Sequence, residues 1–196
     1  MIKSNSQSGQ DIFVSKLINN KEPFFIDIGC WKPIELNNTL LLEQNGWEGI
    51  SIDILDMSNE WSIRKTKFIK ANALETDYTK LFDDNKAPSI IDYLTIDIEG
   101  DGHRFLALKK VIESNRDFKI ITIEHDSYRG YELTEAKPQR EFLLNKGYIL
   151  LCSNVCLMNN PFEDWWINPK YFSEDEFMYI KSDNMEYSDI LKKIKI

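Results

Sequence analysis

Two strand-length apolar runs, residues 24–28 and 49–54, flank a Leu-rich segment, and each delivers an acid near its end. The intervening sequence, FFIDIGCWKPIELNNTLLLEQNGWEGISID, reads as strand, turn, helix and strand. Few folds accept such a unit: both strands must be parallel, and the helix must cross over one face of their sheet. The first strand carries Asp27 and Gly29 into a loop. The second ends at Asp53, 26 residues after Asp27, against roughly 20 from glycine loop to ribose acid in nucleotide-binding α/β units. A carboxylate at that strand end accepts hydrogen bonds from both ribose hydroxyls. The spacing predicts an adenosine-containing cofactor.

The loop after the first strand selects among such cofactors. Dinucleotide pyrophosphates need a glycine-rich turn at a helix N-terminus. Here Gly29 is followed by Cys30, Trp31, Lys32, Pro33, Ile34 and Glu35, with no second glycine. Pro33 offers no N–H donor, and Glu35 places a negative charge where a phosphate would sit. S-adenosylmethionine carries no phosphate, so one close approach at Gly29 suffices, and Asp27 faces its charged amino-acid end. A nicotinamide-dependent oxidoreductase is the reading that the missing glycines oppose.

Further strands are expected at residues 67–71, 93–98 and 118–123, with a last pair at 148–152 and 155–158. Helices are expected around residues 12–17, from Leu36 through Leu41 facing the sheet, at 105–112, and from Pro138 to about Lys146. Nearly continuous apolar strands between amphipathic helices predict a Rossmann-like, doubly wound, mainly parallel sheet covered on both faces, ending in an antiparallel strand pair. In such sheets ligands bind at the carboxyl ends of the strands. Asp27, Asp53, Asn72, Asp97 and Glu124 all fall at such ends. Asn72 and Ala73 are placed at the adenine edge, and Asn72 equally suits a simple turn. Asp97 and Glu99 point to one side of an extended chain. With Glu124, His125 and Asp126 on the next strand, they offer two chemistries. Asp97, Glu124 and Asp126 can hold a divalent cation such as Mg²⁺. Alternatively, His125 can act as general base beside Asp97 and Glu99.

The pattern D-I-G-x-x-x-P at residues 27–33, then Asn38-Thr39 and L-E-x-x-G-W-x-G-I-x-I-D ending at Asp53, resembles the FkbM-type S-adenosylmethionine-dependent methyltransferases. Upstream, SQSGQD at residues 6–11 resembles the S-Q-x-G-E-D segment that opens those domains. Downstream, IDYLTIDIEG at 91–100 and Ile123-Glu124 resemble their fourth and fifth strand ends. The resemblance spans residues 6 to about 150. It implies a class I methyltransferase fold and O-methylation of a sugar or other polyol hydroxyl. The sequence departs from that pattern at Gln10 (usually Glu), Lys32 (usually His) and Asn37 (usually Ser).

With 196 residues and 42% hydrophobic content, the chain is read as one globular domain over 1–196. Its last part, 160–196, is an aromatic and acidic extension. There Trp165 and Trp166 are expected to border an acceptor pocket, or to cover the sheet or form a homo-oligomer contact. A formal charge of −8 argues against nucleic-acid and anionic-membrane partners and leaves a small-molecule or glycan acceptor. The polar opening MIKSNSQSGQ lacks the apolar core of a signal peptide. Three cysteines without CxxC spacing suit a reducing, cytoplasmic setting. A catalytically silent cofactor-binding module of the same fold remains the alternative to an active enzyme.

Overall fold

The computed structural model describes residues 4–194; the first three residues of the polar opening segment and the last two of the chain lie outside them. One sheet contains eight strands: β1 (Phe24–Ile28), β2 (Glu48–Asp53), β3 (Lys67–Lys70), β4 (Ile90–Ile96), β5 (Asp117–Glu124), β6 (Ile149–Leu157), β7 (Asn160–Ile167) and β8 (Ser182–Asp183). The α-helices are α1 (Gln10–Leu17), α2 (Leu40–Gln44), α3 (Ser58–Trp61), α4 (Tyr78–Asp84), α5 (His103–Ile112), α6 (Lys137–Asn145), α7 (Glu174–Phe177) and α8 (Tyr187–Lys193). The strand order is β3-β2-β1-β4-β5-β7-β6-β8. β1 to β5 run parallel, and β7 is antiparallel to both β5 and β6. This is the Rossmann-like, doubly wound sheet with a C-terminal antiparallel pair that the sequence predicts.

Alternation along the central strands feeds two cores. Ile26, Ile52, Leu94 and Ile121 pack with Phe82 of α4, Leu108 of α5 and Leu143 of α6. On the other face Phe25, Tyr93 and Ile120 meet Phe13 of α1, Leu42 of α2, Phe177 of α7 and Ile190 of α8. Each such side chain, fully buried, contributes about 1.5–3 kcal/mol. A one-residue slip of β1 would turn Asp27 into the Ile-rich core, so burial itself holds the register. β1 and β4 are neighbours, and their connections leave in opposite directions. That switch point opens a crevice at the strands' carboxyl ends.

Three expectations are corrected. The helix after β1 starts at Leu40, not Leu36. Asn37 donates to the carbonyls of Cys30 (3.3 Å) and Lys32 (3.0 Å), which curls the preceding residues into a loop. Leu36 sits there at φ 52° and is exposed. Residues 148–152 and 155–158 are one strand, β6, with irregular register near Asn154. Its partner is β7, reached through Met158 and Asn159, both at positive φ (53° and 63°) as a tight hairpin requires. Residues 160–167 of the C-terminal segment therefore belong to the sheet. Trp165 and Trp166 are both 0% exposed and point to opposite cores, so neither borders the crevice.

Candidate active site

A cavity of about 670 Å³ opens at the switch point, within the roughly 300–1,000 Å³ of small-ligand sites. Asp27, Gly29, Asp53, Asn72, Ala73, Asp97, Glu99, Glu124 and Asp126 all line it; His125 does not.

At the β2 end, Asp53 is oriented by backbone donors. Its Oδ2 accepts the Trp31 N–H and its Oδ1 the Leu55 N–H, both at 2.8 Å. Gly29, at φ 87°, lines the cavity and has a packing role as well. A Cβ there would lie 1.8 Å from the Asp97 carbonyl oxygen. Its missing side chain lets the loop after β1 press against the loop after β4. Asn72 is a turn residue on the cavity wall. Its Oδ1 accepts the Leu74 N–H at 3.0 Å, and its carbonyl accepts those of Glu75 and Thr76. Asp27 is buried and accepts the Thr39 hydroxyl at 2.9 Å. Burial pushes its pKa up to about 7, against the opposing pull of Thr39 and the Arg64 charge.

At the β5 end the organiser is Arg104, 1% exposed. Its Nη2 donates to Glu124 and to Asp126, each at 3.0 Å, and Glu135 lies alongside. Glu135 also accepts the N–H groups of Arg104 (3.1 Å) and Phe105 (2.9 Å). A carboxylate from a distant segment thus satisfies free donors of the first turn of α5. Half-buried Asp97 meets Glu124 side chain to side chain. Burial raises both carboxyls, and Asp97 drives Glu124 well above the ordinary range.

This geometry revises the β5 readings. Glu124 and Asp126 both pair with the Arg104 guanidinium, a built-in cation where a divalent metal was one of the two expectations. Among the described residues, no group of three or more His, Cys, Asp or Glu side chains is arranged to hold a metal ion. His125 is 0% exposed and faces away from the cavity. Its Nδ1 accepts the Ser127 N–H at 3.2 Å, and its Nε2 lies 3.4 Å from Asp164. Arg140 holds Asp164 through two bonds of 2.7 and 3.0 Å. The general-base reading of His125 fails because strand alternation aims Glu124 at the cavity and its neighbour away. Glu99 is exposed at the mouth, 3.9 Å from Arg129, and His103 Nδ1 meets the Glu99 carbonyl at 3.0 Å.

The three departures from the family pattern are all structural. Lys32 pairs with Glu35 and covers the Trp31 ring outside the cavity, Asn37 shapes the loop, and Gln10 donates to buried Glu163 at 3.0 Å. Arg104 is the main residue missed. It is in phase with Ala107, Leu108 and Val111 on the buried stripe of α5, and a charge in such a stripe signals a buried partner.

The family model described as "Methyltransferase FkbM domain" matches residues 17–150. No curated protein sequence matches the chain. Solved structures do. A protein of Clostridium thermocellum designated an rRNA methylase superposes with a TM-score of 0.56 at 17% identity, covering 86% of this chain and 97% of its own. SMU.1697c, designated a methyltransferase of Streptococcus mutans and solved with SAH, gives 0.50 at 13%, with 85% and 99% covered. A Klebsiella pneumoniae protein designated an O-methyltransferase gives 0.54 at 10%, with 86% and 81% covered. At these identities the likeness is one of fold, the class I methyltransferase arrangement. Among the described residues no helix is long and apolar enough to cross a membrane.

Proposed function

Since the chain belongs to the FkbM methyltransferase domain family and is an S-adenosylmethionine-dependent methyltransferase, we propose that it methylates a hydroxyl of a sugar or similar small polar acceptor. The observation that carries this reading is the split character of the cavity. One end presents a pinned carboxylate at the β2 terminus, and the other a cluster of carboxylates around Arg104. The residues fit the cofactor: each Asp53 oxygen takes one backbone donor and keeps a lone pair for a ribose hydroxyl. Asn72 and Ala73 border the adenine edge, and Asp27 faces the charged amino-acid end. S-adenosylmethionine supplies an already activated methyl group, so the protein's work is alignment and proton removal.

Asp97 is the residue placed for that second task. It lines the cavity after β4, and burial raises its pKa, which suits a base that takes a hydroxyl proton. Arg104 and Glu124 act through Asp97 as positioning residues, and Glu99 with Arg129 offers polar contacts to an acceptor at the mouth. The acidic wall and the net charge of −8 favour a small polar acceptor over RNA. The test is a methyl-transfer screen of sugars and polyols with an RNA control, in which Asp97→Asn keeps cofactor affinity and loses about 100- to 10,000-fold in turnover. Transfer to RNA alone, or full activity in Asp97→Asn, would overturn the reading. Cofactor binding with no transfer to any acceptor would favour the silent binding module.

A further inference from the structure

The SQSGQD stretch at residues 6–11 belongs to none of the strands that build the cavity, yet the fold brings it to the cavity wall. Two buried carboxyl groups hold it down. Asp11 accepts the Ser4 hydroxyl at 2.6 Å, the Asn5 N–H at 2.9 Å and the Ser6 hydroxyl at 2.9 Å. Glu163 of β7 accepts the Ser8 hydroxyl, and the Gln10 amide at 3.0 Å. Gly9 turns the chain at φ 74° against Leu191, where a Cβ would lie 2.5 Å from Cδ1. Half-buried Gln7 stands between the two anchors and lines the cavity. Its side chain makes no hydrogen bond with any described residue.

The anchor decides which end of the cavity Gln7 serves. Glu163 stands opposite Glu124 in the β5–β7 register, and the N–H groups of His125 and Asp126 both donate to the Phe162 carbonyl at 3.0 Å. β7 lies four strands from β2 in the sheet order, about 19 Å at the usual strand spacing. The segment is therefore fastened far from Asp53 and close to the β5 carboxyls. Phe162, Asp126, Tyr128 and Arg129 line the cavity at this end. Tyr128 is 44% exposed. Arg129 Nε donates to its hydroxyl at 2.8 Å, and the guanidinium lies 5.3 Å from the ring centre. That holds the ring at the mouth with much of its surface open.

We propose that Gln7 and Tyr128 read the acceptor, the carboxamide binding hydroxyls of a neutral pyranose and the aromatic ring covering its C–H face. This assignment rests on the methyl-transfer reading above and names the residues that select the substrate. A carboxamide presents two N–H donors and a carbonyl acceptor at one point, which suits adjacent hydroxyl groups that each donate and accept. The tyrosine ring adds a rigid apolar face at small cost in side-chain freedom. Charge separates a neutral sugar from a phosphorylated one. Gln7 carries none, and Arg129 is already met by Asp126 at 3.4 Å and Glu99 at 3.9 Å. No cation at this end is left for a phosphate among the described lining residues, and the carboxyls would repel one.

The test is the rate of methyl transfer to methyl glucopyranoside, galactopyranoside, mannopyranoside and xylopyranoside, with myo-inositol and glucose 6-phosphate alongside. Wild-type protein should methylate at least one of the pyranosides. Gln7→Ala and Tyr128→Ala should each raise the KM for that sugar about 3- to 10-fold, with a smaller effect on kcat, as the loss of a neutral contact to the bound acceptor predicts. Tyr128→Phe, which keeps the ring, should recover most of what Tyr128→Ala loses. Calorimetry with S-adenosylhomocysteine should give the wild-type affinity in every variant, which also reports that each is folded. If Gln7→Ala does not fold, Tyr128→Ala decides. Unchanged KM in both variants, or a folded Gln7→Ala protein that loses S-adenosylhomocysteine affinity, overturns the assignment. Wild-type transfer to myo-inositol or glucose 6-phosphate and to no pyranoside overturns it and keeps the hydroxyl-methylation reading. Wild-type protein that binds S-adenosylhomocysteine and methylates none of these compounds overturns it and keeps the cofactor site.

Discussion

At the β2 end of the cavity, Asp53 is held by N–H groups of Leu55, two residues on, and Trp31, across the neighbouring loop. At the β5 end, Glu124 and Asp126 depend on a guanidinium 20 and 22 residues back along the chain, carried by α5. Both ends concentrate carboxylates at strand termini, yet they are stabilised differently. Backbone donors are neutral and remain wherever the loops form, so Asp53 needs no charged partner. The β5 cluster sets several carboxyls against one buried cation, so its charge is only partly balanced, and burial with mutual repulsion raises the pKa of both Asp97 and Glu124. One end is held by fixed neutral donors; the other gathers carboxyls whose ionisation burial opposes.

Removing the cation should break this contrast most severely. Arg104→Met leaves Glu124, Asp126 and Glu135 buried without their partner and should cost about 3–5 kcal/mol in urea unfolding. A loss below about 1 kcal/mol would show that the carboxyls simply take up protons. Asp53→Ala should be milder, about 1–3 kcal/mol for two backbone donors left unpaired, with S-adenosylhomocysteine affinity falling at the same time. Unchanged affinity in a folded Asp53→Ala protein would remove the β2 end from the cofactor site.

A pH-dependent effect concerns Glu163, under the N-terminal segment. Burial raises its pKa from 4.5 to about 7, although Ser8, Trp165 and Gln10 donate to it. A carboxyl raised on folding favours the folded state most below its unfolded pKa, and that contribution fades as pH rises through the folded pKa. Stability attributable to Glu163 should therefore decline between about pH 4.5 and 7. Melting temperatures of wild type and Glu163→Gln, compared across that window, should differ in slope, with the variant flatter. Parallel curves would show that folding leaves the titration of Glu163 unshifted.

Much of the architecture was legible because it follows from local pattern. The apolar runs ending in Asp27, Asp53, Asp97 and Glu124 lie where expected, since strand-length burial and terminal acids are properties of contiguous residues. The hairpin β6–β7 is not legible locally because Ser153-Asn154 resembles a turn, while Met158-Asn159, the actual turn, carries no glycine. From sequence the two tryptophans suit a pocket border, a cover over the sheet or a subunit contact alike; β7 lies between β5 and β6, where both sides of the strand are covered and both rings are buried.

The sequence by itself determined the parallel α/β frame, the strand ends that meet at the crevice, and the acid suited to a ribose. Periodicity and chain connectivity act over a few residues and survive in any packing. Only the tertiary structure decided that Arg104 answers the β5 carboxylates, that His125 turns to Asp164, and that Gln7 comes to the cavity. Those outcomes depend on how α5 docks and how the N-terminal segment is fastened to Glu163. The partner of a buried polar group is set by which elements pack together, and no local pattern along the chain encodes it.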